Sequence, residues 1–369
     1  MPDLHHRLNE RAKLVSLILS GRSVLMLAPR RIGKTWLMNR VKEDLEQTGA
    51  RAIKVEVAGL STEQEFLVEL CKAIENTQGL RDIFKTQILQ RLKQLFGNIE
   101  SGSLAQAAGR LDPRQFLETL VQELNKGESR TVLLIDEFAL FVQEFAKRDA
   151  DAARRLLYQI RKLWQGCGNV VWFLTGSIGL DEIGRRYDMA GALLGIELVP
   201  LEPFSADEAR CFFEELQAQN IIGRFSFADG AFGYFVDELG WLSPYHIEHV
   251  LKLVDVSNSA ASVEQIEAAF SKILSPAYRL HFAAWDEHIA KNFLPDDARE
   301  MRVILQIAAQ HADGEVEATY LARLGPGLER RKLLNHLTAL ANDAYLVKDG
   351  GRWRFRSGLL RRYWIEYVA

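Results

Sequence analysis

The apolar run Ser23 to Leu27 passes without a break into Ala28-Pro29-Arg30-Arg31-Ile32-Gly33-Lys34-Thr35, and Trp36 to Val41 continues with helical spacing. Few folds accept a buried strand, a glycine-bearing loop and a helix opening on Lys-Thr in that order. Backbone N–H groups of such a loop can wrap a phosphate, and the helix N-terminus adds positive potential. Lys34 then reaches the β- and γ-phosphates of a nucleotide, and Thr35 can hold a magnesium ion. Ala28, Pro29, Arg30, Arg31, Ile32, Gly33, Lys34, Thr35 and Trp36 are therefore the candidate nucleotide-binding residues. A loop of this type usually opens on glycine. Ala28 adds only a methyl, which is tolerated unless the backbone there is strongly left-handed.

Five short runs alternate with amphipathic stretches through the first 200 residues: Ser23 to Leu27, Arg51 to Val57, Thr131 to Ile135, Val170 to Thr175 and Glu197 to Leu201. They are apolar on both faces, as strands of a parallel sheet covered by helices must be. The expected fold class is α/β, with a parallel sheet core of about five strands. The Gly-, Ser- and Ala-rich stretch from Gly97 to Arg110 reads as a mobile connection between helices. After Leu201 helical periodicity takes over, starting from Ser205 as a cap for a helix running to Leu216. A third unit starts near Tyr278 to Ile289. From Ala298 it offers three helical segments and then two short strands around Asp349-Gly350-Gly351. Three helices followed by a glycine-turned hairpin is the order of a winged helix. The expected domains are a core over 1–201, a helical lid over 202–276 and a winged helix over 277–369.

Thr131-Val132-Leu133-Leu134-Ile135-Asp136-Glu137 is an apolar strand ending in two carboxylates, the Walker B pattern. At the carboxyl edge of a parallel sheet Asp136 joins the magnesium shell beside Thr35, and Glu137 faces the attacking water. Phosphoryl transfer needs positioning and charge neutralisation more than covalent chemistry, so one carboxylate acting on water is sufficient machinery. Glu137 and Lys34 are thus the candidate catalytic residues. The apolar run Val170 to Thr175 ends in Gly176-Ser177. In P-loop ATPases with an extra strand between the two Walker strands, that strand's end faces the γ-phosphate, which makes Ser177, ahead of Thr175, the candidate sensor.

A net charge of -3 provides no global attraction to DNA or to a membrane. No apolar run approaches the roughly 18 residues of a membrane span, and the N-terminus is too charged for a secretory signal, so a cytoplasmic location is expected. Cys71, Cys167 and Cys211 lie far apart without CxxC spacing, which argues against a disulfide framework and a zinc site. The adjacent His5 and His6 are assigned no metal.

Together these motifs resemble the archaeal-type AAA+ ATPases with a winged-helix tail, in the STAND and origin-recognition neighbourhood. Pro29-Arg30-Arg31-Ile32-Gly33-Lys34-Thr35 looks like the family's PRRxGKT loop, and Leu134 to Phe138 like its acidic strand. Thr175 to Gly179 is similar to its sensor segment, and Leu201-Glu202-Pro203-Phe204-Ser205 to its LxPFS entry to the lid. Gly240-Trp241-Leu242-Ser243-Pro244-Tyr245 looks like its GGxPY lid motif, which implies that Pro244 lies beside the nucleotide base. The likeness runs from about Leu8 to Tyr363. It departs at Asn9-Glu10-Arg11, a scrambled echo of the family's Asn-Arg-Glu signature, and at Gly195-Ile196, where the family often carries an arginine finger. Arg185 or Arg186 is the available substitute. The resemblance implies ATP and ADP with Mg2+ as ligands. The preference for ATP over GTP rests on it too, since no NKxD-type guanine reader is evident.

From Ala298 to Ala369 twelve Lys plus Arg stand against eight Asp plus Glu, leaving the rest of the chain at -7. Arg330, Arg331 and Lys332 open the third helix of the tail, where a recognition helix enters the major groove, and Arg352, Arg354 and Arg356 alternate along the wing. These are the candidate DNA contacts, whereas Leu333, Leu337, Leu340, Trp353, Phe355 and Trp364 read as core. The leading function is a slow ATP-driven switch acting on the winged helix. Two alternatives stay open: an ATP-controlled DNA-binding regulator or loader, and a nucleotide-locked scaffold with negligible hydrolysis. The tail's partner is duplex DNA or a protein, and a homo-oligomer remains an option.

Overall fold

In the computed structural model, residues 7–77, 103–176, 180–255, 260–325 and 328–368 are described, with 86–87, 90–91 and 94 in the stretch between the first two. The chain divides into two compact units. One comprises Arg7–Ala28 and Lys34–Leu201. The other comprises Pro29–Gly33 and the described residues from Glu202 to Val368.

The N-terminal unit contains α1 (Leu8–Leu19), β1 (Val24–Leu27), α2 (Lys34–Gln47), β2 (Arg51–Glu56), α3 (Glu63–Asn76), α4 (Leu104–Ala108) and α5 (Pro113–Asn125). It continues with β3 (Thr131–Asp136), α6 (Phe138–Arg148), α7 (Ala150–Gly166), β4 (Val170–Gly176), α8 (Leu180–Arg186) and β5 (Glu197–Leu198). The five strands form one parallel sheet in the order β2-β3-β4-β1-β5. All five expected runs are strands, and β4 is inserted between the two strands that carry the Walker motifs. Every residue of β3 and β4 is buried, as the central strands of a two-sided sheet must be.

Alternation divides the strand side chains between two layers. Leu25, Ile53, Val55, Leu133, Ile135, Trp172 and Leu174 join the core cluster built with α3, α4, α5, α6 and α7. Helices α1 and α2 pack on the sheet as well, at β1 and at β2 and β3. The stretch expected as a mobile connection is corrected in its second half. Residues 97–102 lie outside the described residues, but α4 is a packed helix whose Leu104, Ala107 and Ala108 are buried in the same core.

The C-terminal unit contains α9 (Ala206–Ala218), β6 (Ser226–Phe227), α10 (Ala231–Leu239), α11 (Pro244–Leu251), β7 (Ala260–Ala261), α12 (Val263–Leu274) and α13 (Leu280–Asn292). There follow α14 (Pro295–Gln310), α15 (Glu317–Leu324), α16 (Arg330–Asn342), β8 (Leu346–Asp349), β9 (Arg352–Phe355) and α17 (Gly358–Tyr367). Ser205 caps α9 with a full capping box, its side chain accepting from Glu208 N while the Glu208 side chain accepts from Ser205 N. The antiparallel β8–β9 hairpin turns through Gly350 and Gly351, both at positive φ (53° and 84°), a conformation that favours glycine. A bridge from Glu315 to Trp353 adds a third extended segment to the hairpin. Trp353 and Phe355 point inward and are buried, while Arg352 and Arg354 take the alternate positions. Leu333, Leu337, Leu340 and Trp364 are buried as expected. Among the described residues no helix is long and apolar enough to cross a membrane.

Candidate functional site

The carboxyl edge of the sheet collects the acidic motif and the start of the phosphate loop. Parallel pairing sets Leu27 opposite Gly176 and Ile135 opposite Leu174, so the ends of β1, β4 and β3 emerge together. Ala28 N donates to Gly176 O (3.2 Å), extending the β1–β4 pairing by one residue. Ala28 is fully buried and is not among the positive-φ residues, so its methyl costs no backbone strain. Lys34, only 5% exposed, turns its Nζ back to donate to Ala28 O at 2.9 Å. The cation is thereby held at the start of α2, where a phosphate would meet it. Thr35, the next residue, is exposed.

Asp136 is 1% exposed at the end of β3. Its Oδ1 accepts from the Thr175 hydroxyl at 2.7 Å and from Glu137 N at 3.1 Å. Glu137 N also reaches Thr175 Oγ1 at 3.2 Å. Thr175 is completely buried, so this hydroxyl is fixed on the carboxylate by packing. Gly176 makes the approach feasible: a Cβ there would lie 2.4 Å from the Cβ of Ala139 in α6. Glu137 sits in left-handed backbone (φ 57°) as it caps α6. That conformation costs a non-glycine residue on the order of 1 kcal/mol and is typical of functional turns.

Thr175, the less favoured of the two sensor residues, is in contact with Asp136. Ser177 lies outside the described residues, as does the side chain of Arg185, while Arg186 is half-buried at the end of α8. Sequence reasoning overlooked Lys54 in β2, whose Nζ lies 3.5 Å from Asp136 Oδ2 and donates to Asn39 Oδ1 at 2.8 Å. No motif marks it; the signal lay only in the pairing of β2 with β3.

The donor set suits magnesium. Thr35 offers a hydroxyl and Asp136 a buried carboxylate, hard oxygen ligands of the kind that ion takes in phosphate sites. The three cysteines are free, with Cys71 and Cys167 buried and Cys211 exposed. His5 and His6 lie outside the described residues.

Within the C-terminal unit, Arg31 and Gly33 both adopt positive φ (69° and 97°). Such alternation of backbone hand turns successive N–H groups to one side, as an anion nest requires. The Arg31 guanidinium lies over the Tyr245 ring at 4.4 Å, and burial holds it below arginine's usual pKa despite the favourable ring beneath it. Pro244 opens α11, and its Cγ would lie 4.0 Å from a Cβ added at Gly33. Tyr245 stacks on His249 (4.1 Å) and its hydroxyl meets His281 Nδ1 at 2.6 Å. His246, buried beside Tyr245, has its pKa pushed down to about 3 by burial and then by nearby Arg31, His249 and His281.

The basic residues of the tail have acidic neighbours. Arg330 pairs with Glu317 (3.3 Å), Arg354 with Asp349 (3.3 Å), and Lys332 with Asp297 (3.2 Å) and Glu300 (2.7 Å). Arg352 donates to Gly314 O (3.1 Å), Arg331 is exposed, and burial lowers the pKa of the half-buried Arg356.

Residues 18–183 match the family model described as an AAA domain. No curated protein sequence matches the chain. Among solved structures, the Walker-type ATPase of Pyrococcus abyssi is similar with a TM-score of 0.66 at 17% identity, covering 97% of this chain and 95% of that one. The ADP form of the Aeropyrum pernix ORC2 protein is similar at 0.49 and 14% identity, over 100% of this chain and 94% of that one. The Aeropyrum pernix ORC1 protein in complex with DNA is similar at 0.45 and 15% identity, over 98% and 92%. The first establishes the fold, and the two lower scores add nothing to it.

Proposed function

We propose that the protein, whose residues 18–183 match the AAA-domain family model and whose fold is similar to that of a Walker-type ATPase, binds Mg-ATP and hydrolyses it slowly as a conformational switch. The observation that carries the reading is the meeting of Thr175 with Asp136 at the sheet edge where β1 runs into the phosphate loop. A buried hydroxyl aimed at a buried carboxylate fixes one face of Asp136 and leaves the other for a cation. Magnesium held by Thr35 and Asp136 would neutralise phosphate charge. Lys34 binds the β- and γ-phosphates, and the loop N–H groups turned by Arg31 and Gly33 orient them. Glu137, in a left-handed turn at the start of α6, accepts a proton from the attacking water. Thr175 keeps Asp136 oriented.

We read 202–276 as the helical lid and 277–369, with α14 to α16 and the β8–β9 hairpin, as a winged helix. The helix order, the glycine turn and the third extended segment at Glu315 support that reading. Its partner is duplex DNA or a protein. Phosphate contact would have to draw on Arg331 and Arg352, and would have to loosen the ion pairs of Arg330, Lys332 and Arg354, which favours the switch over a DNA-gripping loader.

ATP turnover and particle mass, measured with and without duplex DNA for the wild type and Glu137→Gln, test the proposal. Slow Mg-dependent turnover lost in Glu137→Gln supports it. Turnover unaffected by that change removes Glu137 as the base, whereas tight ADP binding with no turnover favours a nucleotide-locked scaffold. Salt-sensitive DNA binding abolished by changing Arg330, Arg331 and Lys332 would favour the loader.

A further inference from the structure

A carboxylate as deeply buried as Asp136 requires a counter-charge. Its Oδ1 is already committed to Thr175 and Glu137 N. Its Oδ2 faces the Lys54 ammonium at 3.5 Å. Two elements hold that ammonium. Strand β2 carries it beside β3, with Glu56 paired to Asp136 in register, and Asn39 of α2 accepts its hydrogen bond at 2.8 Å. Alternation along β2 sets Lys54 apart from Ile53 and Val55, which are buried in the core. Its side chain keeps 21% of its exposure and lines an open groove of about 710 Å³ with Lys42, Glu46 and Glu56. The ammonium therefore has a solvated place to retreat to, next to carboxylates.

We propose that Lys54 is the counter-ion of Asp136 and competes with the divalent cation for Oδ2, so that this lysine sets the metal affinity of the nucleotide site. The inference rests on the Mg-ATP reading above. A divalent ion bound to Asp136 meets a fixed positive charge only a few ångströms away, and the site relieves the repulsion by moving Lys54 into the groove. That movement breaks the bond to Asn39 as well as the ion pair, so metal binding is weaker than the oxygen ligands alone would give. Neutralising position 54 removes the competitor.

The test is Mn2+ binding in the presence of ADP, followed by electron paramagnetic resonance, for the wild type, Lys54→Met and Lys54→Gln. Both variants should bind Mn2+ roughly five- to tenfold more tightly, the scale of an ion pair with one partly exposed member. Asn39→Ala, which frees the ammonium without removing it, should shift affinity in the same direction by less. If Lys54→Met fails to fold because Asp136 is left without its counter-ion, Lys54→Gln retains an N–H donor for both partners and carries the test. Unchanged or weaker Mn2+ binding in the folded variants overturns the role of Lys54 while leaving nucleotide binding intact. Wild-type protein that binds neither ADP nor Mn2+ with ADP overturns the nucleotide reading itself, and this role with it.

Discussion

Replacing Thr175 by valine removes one hydroxyl and preserves the shape of a completely buried side chain. The lost bond is the 2.7 Å donation to Asp136 Oδ1, and a bond to an ionised acceptor contributes about 1.5–3 kcal/mol. Glu137 N loses its contact with Thr175 Oγ1 but keeps Asp136 Oδ1 at 3.1 Å, so no backbone donor is orphaned. Valine fills the same volume, so no cavity term adds to the cost. The expected destabilisation is therefore about 2 kcal/mol, with turnover reduced on the order of tenfold to a hundredfold as Asp136 loses the group that orients it. Because the chain has two units that need not unfold together, the assay is hydrogen exchange at the β3 and β4 amides combined with ATP turnover. Thr175→Ser, which restores a hydroxyl, should recover most of both. A valine variant within about 0.5 kcal/mol of wild type and with full turnover would show that the Thr175–Asp136 bond does not organise the site.

His246 predicts acid sensitivity. Its folded pKa lies near 3 against an ordinary 6.5, so the unfolded chain takes up a proton that the folded chain refuses. The stability present above pH 6.5 is then lost as pH falls toward 3, with about 2 kcal/mol gone by pH 5. The difference in unfolding free energy between wild type and His246→Gln, from urea titrations, should shrink by about that amount from pH 7 to pH 5, and a constant difference would refute the assignment. Gly176→Ala places a Cβ against Ala139 Cβ and within 3.1 Å of its backbone nitrogen. Since the obstacle is a helix start rather than a flexible side chain, a loss of about 1–3 kcal/mol and of turnover is expected. Wild-type melting and turnover would mean that α6 yields freely.

The core was legible because a central parallel strand is buried on both sides and leaves an unbroken apolar run, as in Thr131 to Ile135 and Val170 to Thr175. The residues at those strand ends were legible as types, since carboxylates after such a run have few structural reasons to be there. The contact of Thr175 with Asp136 was not, because it depends on the strand register that sets the end of β4 beside the end of β3. Lys54 was hidden for a related reason: a lysine in an edge strand looks solvated until β2 pairs with β3. The stacking of Arg31 on Tyr245 joins residues more than 200 positions apart, which no local pattern records. Arg330, Lys332 and Arg354 looked like a free basic face because their carboxylate partners come from other elements or from across a turn. Leu104, Ala107 and Ala108 were too small a set beside their glycines and serines to announce a packed helix.

Equilibrium binding and single-turnover cleavage of Mg-ATP by Glu137→Gln, set beside the wild type, probe the reading at its root. Retained binding with cleavage slowed at least about a hundredfold is the outcome expected when one carboxylate activates the water. Protein that takes up no adenine nucleotide, or a variant that cleaves it at the wild-type rate, would contradict it.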